Sequence, residues 1–252
     1  MIISIELSSY CTKGCSICSR SIGNKHFDDM NMSMSTFNNV LKKIPKCSLI
    51  SAHGRGSSEQ NPNFEEMADK LSLNNYIVID TNGDFLRDIN YKMFSTVTVS
   101  AFNDDYLWED QLQKIIEFKE EKKNPRLILR INGTIKDPNR MLEYIRLFGE
   151  DIVYRQIHSK KGSYDYNVKK PIRPEYDICL CLLTHPTIWA DGNVSSCIRY
   201  DYDQKRILGN INVDDWNEMM TTGKRKKMIE QHIKTGNSEY CTDCSFRGIP
   251  TI

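Results

Sequence analysis

Short apolar runs alternate with longer amphipathic segments over the first two thirds of the 252-residue chain. The apolar, β-branched runs are typical of strands, and the segments between them carry apolar residues at helical spacing. The pattern predicts strands near residues 2–7, 48–52, 76–80, 96–101, 127–132 and 152–157, and helices near residues 35–43, 63–71, 91–94, 108–122 and 139–147. Because strands that alternate with helices form right-handed βαβ units, we expect an α/β fold with a parallel sheet, a partial (β/α)6 barrel.

The pattern changes in the last third of the chain. Residues 162–177 are polar and contain Pro171 and Pro174, as a linker would. Two short strands near residues 187–190 and 194–196 follow, joined by the hairpin signal Asp191-Gly192-Asn193, and then a helix near residues 215–235. We therefore expect two domains, a barrel over residues 1–170 and a small β-hairpin/helix domain over residues 171–252.

Charge and hydropathy exclude several classes of protein. The formal net charge is only +1, so nucleic acid is not an expected partner, and the basic run over residues 224–227 is interpreted as a solvated helix face. No apolar stretch is long enough to span a membrane. The chain starts directly with a strand-like segment and carries no export signal, so we expect a cytoplasmic protein without a membrane partner.

Cysteine content is the unusual feature of the composition. Nine cysteines, an odd number, in a chain without an export signal favour metal-binding thiolates over disulfides. Cys47 stands alone, and we expect it to be a small buried residue. The others form two groups, one of Cys11, Cys15 and Cys18, the other of Cys179, Cys181, Cys197, Cys241 and Cys244.

The first group has the spacing Cys-x3-Cys-x2-Cys and follows the first predicted strand. Three thiolates can hold three irons of a [4Fe–4S] cluster and leave the fourth iron open, and parallel barrels build their sites at the carboxyl ends of strands. Zinc is the alternative, with a distant fourth ligand such as His26.

This motif resembles that of the radical S-adenosylmethionine superfamily. The resemblance implies that Cys11, Cys15 and Cys18 ligate a [4Fe–4S] cluster, whose open iron binds the amino and carboxylate groups of S-adenosylmethionine, and that Ile17 packs against the adenine. An electron from an external reductant of the flavodoxin or ferredoxin type would then release methionine and a 5′-deoxyadenosyl radical, which abstracts hydrogen from the substrate.

The resemblance also places further residues around S-adenosylmethionine. The family's Gly-Gly-Glu-Pro corresponds to residues 55–58, where glutamate and proline are missing, so Gly56 and Ser57 are candidates through their backbone groups. Asn82, Ser100 and Arg130 follow or lie on the third, fourth and fifth strands and are candidates for contacts with the cofactor. Asn82 is equally well explained as a turn residue, and Arg130 as part of a structural ion pair.

The second group resembles the twitch domain, the short form of the SPASM extension. That resemblance implies one auxiliary [4Fe–4S] cluster held by Cys179, Cys197, Cys241 and Cys244. Cys181 competes with Cys179 for the first position, because the two would share one face of a strand. The interval to Gly192 favours Cys179, and a structural zinc site is the alternative for the whole group.

In its size, its single N-terminal cysteine motif and its twitch pattern, the chain resembles the 2-deoxy-scyllo-inosamine dehydrogenases. This resemblance implies a radical oxidation of an alcohol carbon in a small-molecule substrate. In that reaction a base removes the hydroxyl proton and the auxiliary cluster accepts the second electron. No base is assigned; Arg155, His158, Lys160 and Lys161 lie at or beyond the last strand.

Two other functions stay open. Because the chain begins at the first strand, we expect no peptide-recognition domain ahead of the barrel, but a peptide- or protein-modifying radical enzyme could use a separate recognition module. A non-enzymatic zinc-binding module is the second alternative.

Overall fold

A single sheet organises the computed structural model, which describes residues 1–15, 18, 29–121, 125–155, 179–197, 206–235, 238, 239 and 241. Nine strands form this sheet in the described residues: β1 (Ile2–Ile5), β2 (Leu49–Ala52), β3 (Tyr76–Thr81), β4 (Thr96–Phe102), β5 (Arg126–Asn132), β6 (Ile152–Arg155), β7 (Thr187–Ile188), β8 (Asn193–Ser195) and β9 (Ile207–Asn210). Their order in space is β6-β5-β4-β3-β2-β1-β7-β8-β9. β1 to β6 are parallel to their neighbours, as βαβ units require.

β1 lies inside the sheet and joins the two halves of the chain. It pairs in parallel with β2, where Ser4 lies opposite Ser51, and with β7, where Ser4 lies opposite Thr187. β7, β8 and β9 then pair antiparallel. The prediction of a partial parallel barrel with a C-terminal hairpin is confirmed, and the hairpin strands extend the barrel sheet. The predicted linker over residues 162–177 lies outside the described residues.

The described residues also form seven α-helices: α1 (Met34–Lys43), α2 (Phe64–Ser72), α3 (Trp108–Glu120), α4 (Pro138–Phe148), α5 (Leu180–Thr184), α6 (Trp216–Thr221) and α7 (Gly223–Thr235). The first four confirm the four longer helices predicted in the barrel. The single helix predicted over residues 215–235 is two helices instead. The chain turns between them at Gly223, whose φ of +57° lies in the region that favours glycine.

Residues 91–94 form a turn, so the short helix predicted there is wrong. The apolar residues that suggested it, Tyr91 and Phe94, are both buried. Phe94 stacks on Phe64 of α2 with ring centroids 5.8 Å apart, and Tyr91 meets Phe118 of α3 edge-on at 5.7 Å. Packing between two longer helices accounts for these apolar positions without a helix.

The two faces of the parallel strands differ in polarity. Ile3, Ile50 and Ile79 point outward into the apolar core beneath the helices. Alternate positions point inward, because strand side chains have a period of two. We give the name inner wall to the polar residues of this inward face together with Trp189: Ser4, Glu6, Ser51, His53, Asp80, Thr98, Ser100, Arg130, Thr187 and Trp189. Apolar residues such as Val78 and Ile128 share the face.

Cys47 is exposed, so the prediction of a small buried residue is wrong. It has a left-handed φ of 59° in the turn between α1 and β2, where its N–H donates to the carbonyl oxygen of Asn74 at 2.8 Å. Since this turn precedes β2, Cys47 lies at the opposite end of the barrel from the first cysteine group.

Candidate functional site

The first cysteine group lies in the loop that leaves the carboxyl end of β1. Cys11, Cys15 and Cys18 are all partly buried, and the N–H of Cys18 donates to the carbonyl oxygen of Cys15 at 3.0 Å. Burial, followed by the Cys18 and Cys11 thiols, raises the pKa of Cys15 to about 12. The three thiols are therefore close enough to oppose one another's ionisation. A bound metal centre reverses this effect, because a coordinating thiol loses its proton.

The loop after β2 approaches Cys11 backbone to backbone. A Cβ atom on Gly56 would lie 2.3 Å from the carbonyl oxygen of Tyr10, far inside van der Waals contact. The N–H of Ser57 donates to that same oxygen at 2.6 Å, and Ser57 Oγ lies 3.8 Å from Cys11 Sγ. Glycine is therefore required at position 56, and the predicted pair Gly56 and Ser57 lies directly beside the first cysteine.

Asn82, just beyond β3, connects the same two loops. Its Nδ2 donates to Ser57 Oγ at 3.1 Å and to Thr12 Oγ1 at 3.0 Å, and lies 3.9 Å from Cys11 Sγ. Its Oδ1 also accepts from the N–H of Asp84 at 2.9 Å, which makes an Asx turn. The turn interpretation of Asn82 is thus confirmed, and its contact with the cofactor stays a prediction.

Charged side chains hold the cysteine loop against the ends of β3 and β4. Lys13 Nζ lies 3.3 Å from Asp84 Oδ1 and 3.1 Å from Asp105 Oδ2, and the Thr12 hydroxyl donates to Asp84. Burial alone would lower the pKa of Lys13, but the two carboxylates together raise it above its ordinary value. Lys13 therefore stays charged and fixes the middle of the loop.

A buried ion pair anchors the loop that carries Gly56. Arg55 Nη2 and Nε donate to Glu6 Oε1 and Oε2 at 2.6 Å and 2.9 Å, and the guanidinium lies 4.5 Å from the ring centroid of Trp189. A Cβ atom on Gly54 would lie 2.5 Å from the Glu6 side chain. Arg55 occupies the position of the first glycine in the family's Gly-Gly-Glu-Pro pattern. In place of that glycine, this chain has an arginine that binds Glu6, just beyond β1.

Arg130 on β5 is engaged with Asp80 on β3, Nη1 to Oδ2, at 2.5 Å. Burial alone would raise the pKa of Asp80, but His53 and Arg130 together bring it below its ordinary value. Ser100 lies beside Arg130 in the register of β4 and β5. Arg130 is thus part of an ion pair on the inner wall, and its contact with a methionine carboxylate stays a prediction, as does the role of Ser100.

Three cysteines of the second group converge on one cavity. Cys179 lies at the N-terminal cap of α5, Cys197 follows β8, and Cys241 comes from the end of the described chain. The cavity is lined by Cys179, Leu182, Ser196, Cys197, Arg206, Met228 and Cys241. The fourth predicted ligand, Cys244, lies outside the described residues, as do Ile17, His26, His158, Lys160 and Lys161.

Cys181 lies within α5, so the expectation that Cys179 and Cys181 share a strand face is wrong. Cys181 is buried and is absent from the cavity lining. A hydrogen bond with Cys181, followed by burial, raises the pKa of the Cys179 thiol well above its usual range. The cavity favours Cys179 as the ligand, and this assignment stays a prediction.

The thiols of both groups fit iron–sulfur clusters. Three lie around one loop and three line one cavity, and a cluster takes one thiolate on each iron that it bonds. The zinc alternatives involve His26 and Cys244, which lie outside the described residues.

Sequence reasoning missed the pairing of Glu6 with Arg55 and the position of His53. A signal for the first was present, because Ser4, Glu6 and Ser8 alternate with Ile3, Ile5 and Leu7. Strict alternation predicts a strand with one polar face. The partners of that face come from other strands, so only the fold could identify them.

The C-terminal region of the chain matches a known family of iron–sulfur domains. Residues 179–245 match the SPASM family, an iron–sulfur cluster-binding domain. The match includes all three cysteines of the cavity and Cys244. Together with the barrel, it defines an iron–sulfur protein in which a cluster-binding domain follows a parallel α/β barrel.

Solved structures define the fold further. BtrN in complex with AdoMet and 2-DOIA is similar over 93% of this chain and 87% of its own, with 20% identity and a TM-score of 0.59. Streptococcus suis SuiB bound to its precursor peptide SuiA is similar over 90% of this chain and 65% of its own, with 13% identity and a TM-score of 0.65. SuiB bound to S-adenosylmethionine gives 14% identity, 93% and 67% coverage and a TM-score of 0.64. The chain shares the fold of BtrN and SuiB, each of which has a solved structure with S-adenosylmethionine bound.

Two further findings concern sequence relatives and membrane-spanning helices. No curated protein sequence matches the chain. Among the helices of the described residues, none has the length and apolar character needed to cross a membrane.

Proposed function

We propose that the chain is a radical S-adenosylmethionine oxidoreductase that oxidises an alcohol carbon of a small molecule by two electrons. Cys11, Cys15 and Cys18 would hold a [4Fe–4S] cluster whose open iron binds S-adenosylmethionine. When bound, this centre supplies the electron, taken from a flavodoxin- or ferredoxin-type reductant, that releases a 5′-deoxyadenosyl radical to abstract hydrogen from substrate.

The observation that carries the proposal is the convergence of three strand ends on Cys11. Ser57 Oγ and Asn82 Nδ2 lie 3.8 Å and 3.9 Å from its sulfur, one from the end of β2 and one from the end of β3. The backbone of Gly56, which packs against the carbonyl oxygen of Tyr10, would receive the amino group of a methionine moiety.

An auxiliary [4Fe–4S] cluster would lie in the second cysteine cavity. Cys179, Cys197 and Cys241 line it, and Cys244 completes four thiolates. Four thiolates saturate a cluster, which suits electron transfer better than substrate binding. Residues 1–170 would thus act on S-adenosylmethionine, and residues 171–252 would accept the electron that the substrate loses.

A small-molecule substrate is favoured by the inner wall. Hydroxyl groups and paired charges line it, with Glu6 bound to Arg55 and Asp80 bound to Arg130. The similarity to SuiB, whose structure contains a precursor peptide, supports peptide modification as the second candidate. Co-purification with a short Cys- or Ser-containing peptide would favour that candidate over the first.

Anaerobic reconstitution tests the proposal. The protein should hold about eight irons with equal sulfide, and the Cys11/Cys15/Cys18→Ala triple variant about four. With S-adenosylmethionine and a strong reductant, the wild type should form 5′-deoxyadenosine and methionine, while the triple variant should form neither.

Cys47→Ser is the matched control, because Cys47 is exposed at the opposite end of the barrel. It should keep both the iron and the cleavage activity. Stoichiometric zinc without sulfide would overturn the cluster assignment, and S-adenosylhomocysteine as the sole product would overturn the radical reaction.

A further inference from the structure

His53 is an inner-wall residue without an assigned role. It directly follows β2 and, by the register of β2 and β3, stands next to Asp80. Ser51 Oγ lies 2.6 Å from Nδ1, and Asp80 Oδ2 lies 3.9 Å from Nε2, too far for a hydrogen bond. Nothing in the described part of the chain hydrogen-bonds Nε2, and the side chain is 23% exposed. One ring nitrogen is thus held by the protein and the other is accessible.

The surroundings of His53 keep its imidazole neutral at physiological pH. Burial lowers its pKa to about 4, and Arg130, Arg155 and His185 act in the same direction, while Asp80 opposes them. These are the charged and titratable groups that face the ring from β3, β5, β6 and the segment after α5. A neutral imidazole can take up a proton, and the Asp80 carboxylate beside Nε2 would then stabilise the imidazolium.

His53 is also close to the first cysteine group. Ser57 follows it four positions along the chain, a span of at most about 14 Å. Ser57 Oγ in turn lies 3.8 Å from Cys11 Sγ. His53 and the cysteine loop therefore lie at the same end of the barrel, where the proposed substrate and cofactor would meet.

The rest of the inner wall indicates the kind of molecule that would bind. Ser4 Oγ, Thr187 Oγ1 and Trp189 Nε1 are buried without a hydrogen-bond partner in the described residues. Ser4 and Thr187 are paired positions on β1 and β7. Buried hydroxyl and indole groups need partners. A ligand rich in hydroxyl groups can donate to or accept from the two hydroxyls and accept from the indole N–H.

We propose that His53 Nε2 is the proton acceptor for a polyhydroxylated substrate whose reacting hydroxyl binds between His53 and Asp80. This role rests on the proposed function. In the balanced reaction, the carbinol carbon gives a hydrogen atom to the deoxyadenosyl group and the hydroxyl gives its proton to Nε2. The remaining electron passes to a one-electron acceptor, the auxiliary iron–sulfur cluster, and a carbonyl group forms.

The test compares the reconstituted wild type, His53→Asn and Cys47→Ser with 2-deoxy-scyllo-inosamine and scyllo-inositol deuterated at their carbinol carbons. Cys47→Ser is the control, because Cys47 is exposed at the opposite end of the barrel, away from the inner wall. Wild type and Cys47→Ser should form the same amount of deuterated 5′-deoxyadenosine and the same amount of ketone. His53→Asn should still form deuterated 5′-deoxyadenosine, while ketone falls by at least about 100-fold.

A second readout needs no turnover. In ¹³C-histidine NMR spectra of the holoenzyme, the Cε1–H signal missing from His53→Asn should shift when 2-deoxy-scyllo-inosamine is added without reductant, because the reacting hydroxyl then lies against Nε2. A signal that does not move at saturating substrate would overturn the role.

Failures of the two proposals are distinguishable. Undiminished ketone in His53→Asn, or an equal fall in ketone and in deuterated 5′-deoxyadenosine, would overturn the role of His53 and leave the proposed function intact. No deuterium transfer in the wild type would overturn the proposed alcohol oxidation, and the role of His53 with it.

Discussion

Replacing Glu6 by glutamine tests how the loop beside Cys11 is held. The Glu6 side chain is fully buried and that of Arg55 is 5% exposed, so Glu6→Gln leaves a buried guanidinium without its counter-charge. Removing one partner of a buried ion pair costs about 3–5 kcal/mol. The ring of Trp189, 4.5 Å from the guanidinium, still stabilises the cation. We therefore expect the free energy of unfolding to fall by about 3 kcal/mol, at the lower end of that range.

Urea unfolding of the reconstituted protein, followed by tryptophan fluorescence without oxygen, measures this change. With a slope of about 3 kcal/mol per molar urea, the midpoint should fall by about 1 M with the slope unchanged. Glu66→Gln is the matched control, because the same chemical change breaks an exposed pair with Lys70. Its cost should stay below about 0.5 kcal/mol. Equal midpoint shifts in the two variants would refute the conclusion that burial makes the Glu6–Arg55 pair more stabilising than the exposed Glu66–Lys70 pair.

Two further substitutions test the cysteine sites by iron content. Gly56→Ala should lose about four of eight irons, because its methyl group would meet the carbonyl oxygen of Tyr10 at 2.3 Å. Gly14→Ala, in the cysteine loop itself and with nothing within 4 Å, should keep them. Cys179→Ser should lose the auxiliary iron while Cys181→Ser keeps it, since only Cys179 lines the cavity; the reverse result would move the ligand position into α5.

The barrel could be predicted from the sequence because its strands are short and β-branched and its helices carry an apolar face. Local pattern was sufficient there. It failed at residues 180–184, where a short apolar run forms α5 instead of a strand. Runs of that length are compatible with either structure, and packing decides between them.

The cysteine groups could also be predicted from the sequence, since the spacing of thiols within a loop limits what they can bind. The ion pairs that hold the loops and the inner wall could not be predicted. Glu6 and Arg55 lie 49 residues apart in sequence, and Arg130 and Asp80 lie 50 apart. Such pairs depend on strand order, which no local pattern specifies. Residues that contact across strands are therefore the part of this site that needed a structure.

Because β7 pairs with β1, the barrel sheet cannot be separated from the C-terminal segment without breaking hydrogen bonds. The N–H groups of Ser4 and Glu6 donate to the carbonyl oxygens of Pro186 and Ile188 at 3.0 Å and 2.9 Å. A polypeptide that stopped at residue 170 would expose that row of backbone groups along an apolar strand. Open edges of this kind pair with other chains and lead to aggregation. The cluster-binding segment thus also acts as a cap on the barrel sheet, and the barrel half is expected to aggregate when it is expressed alone.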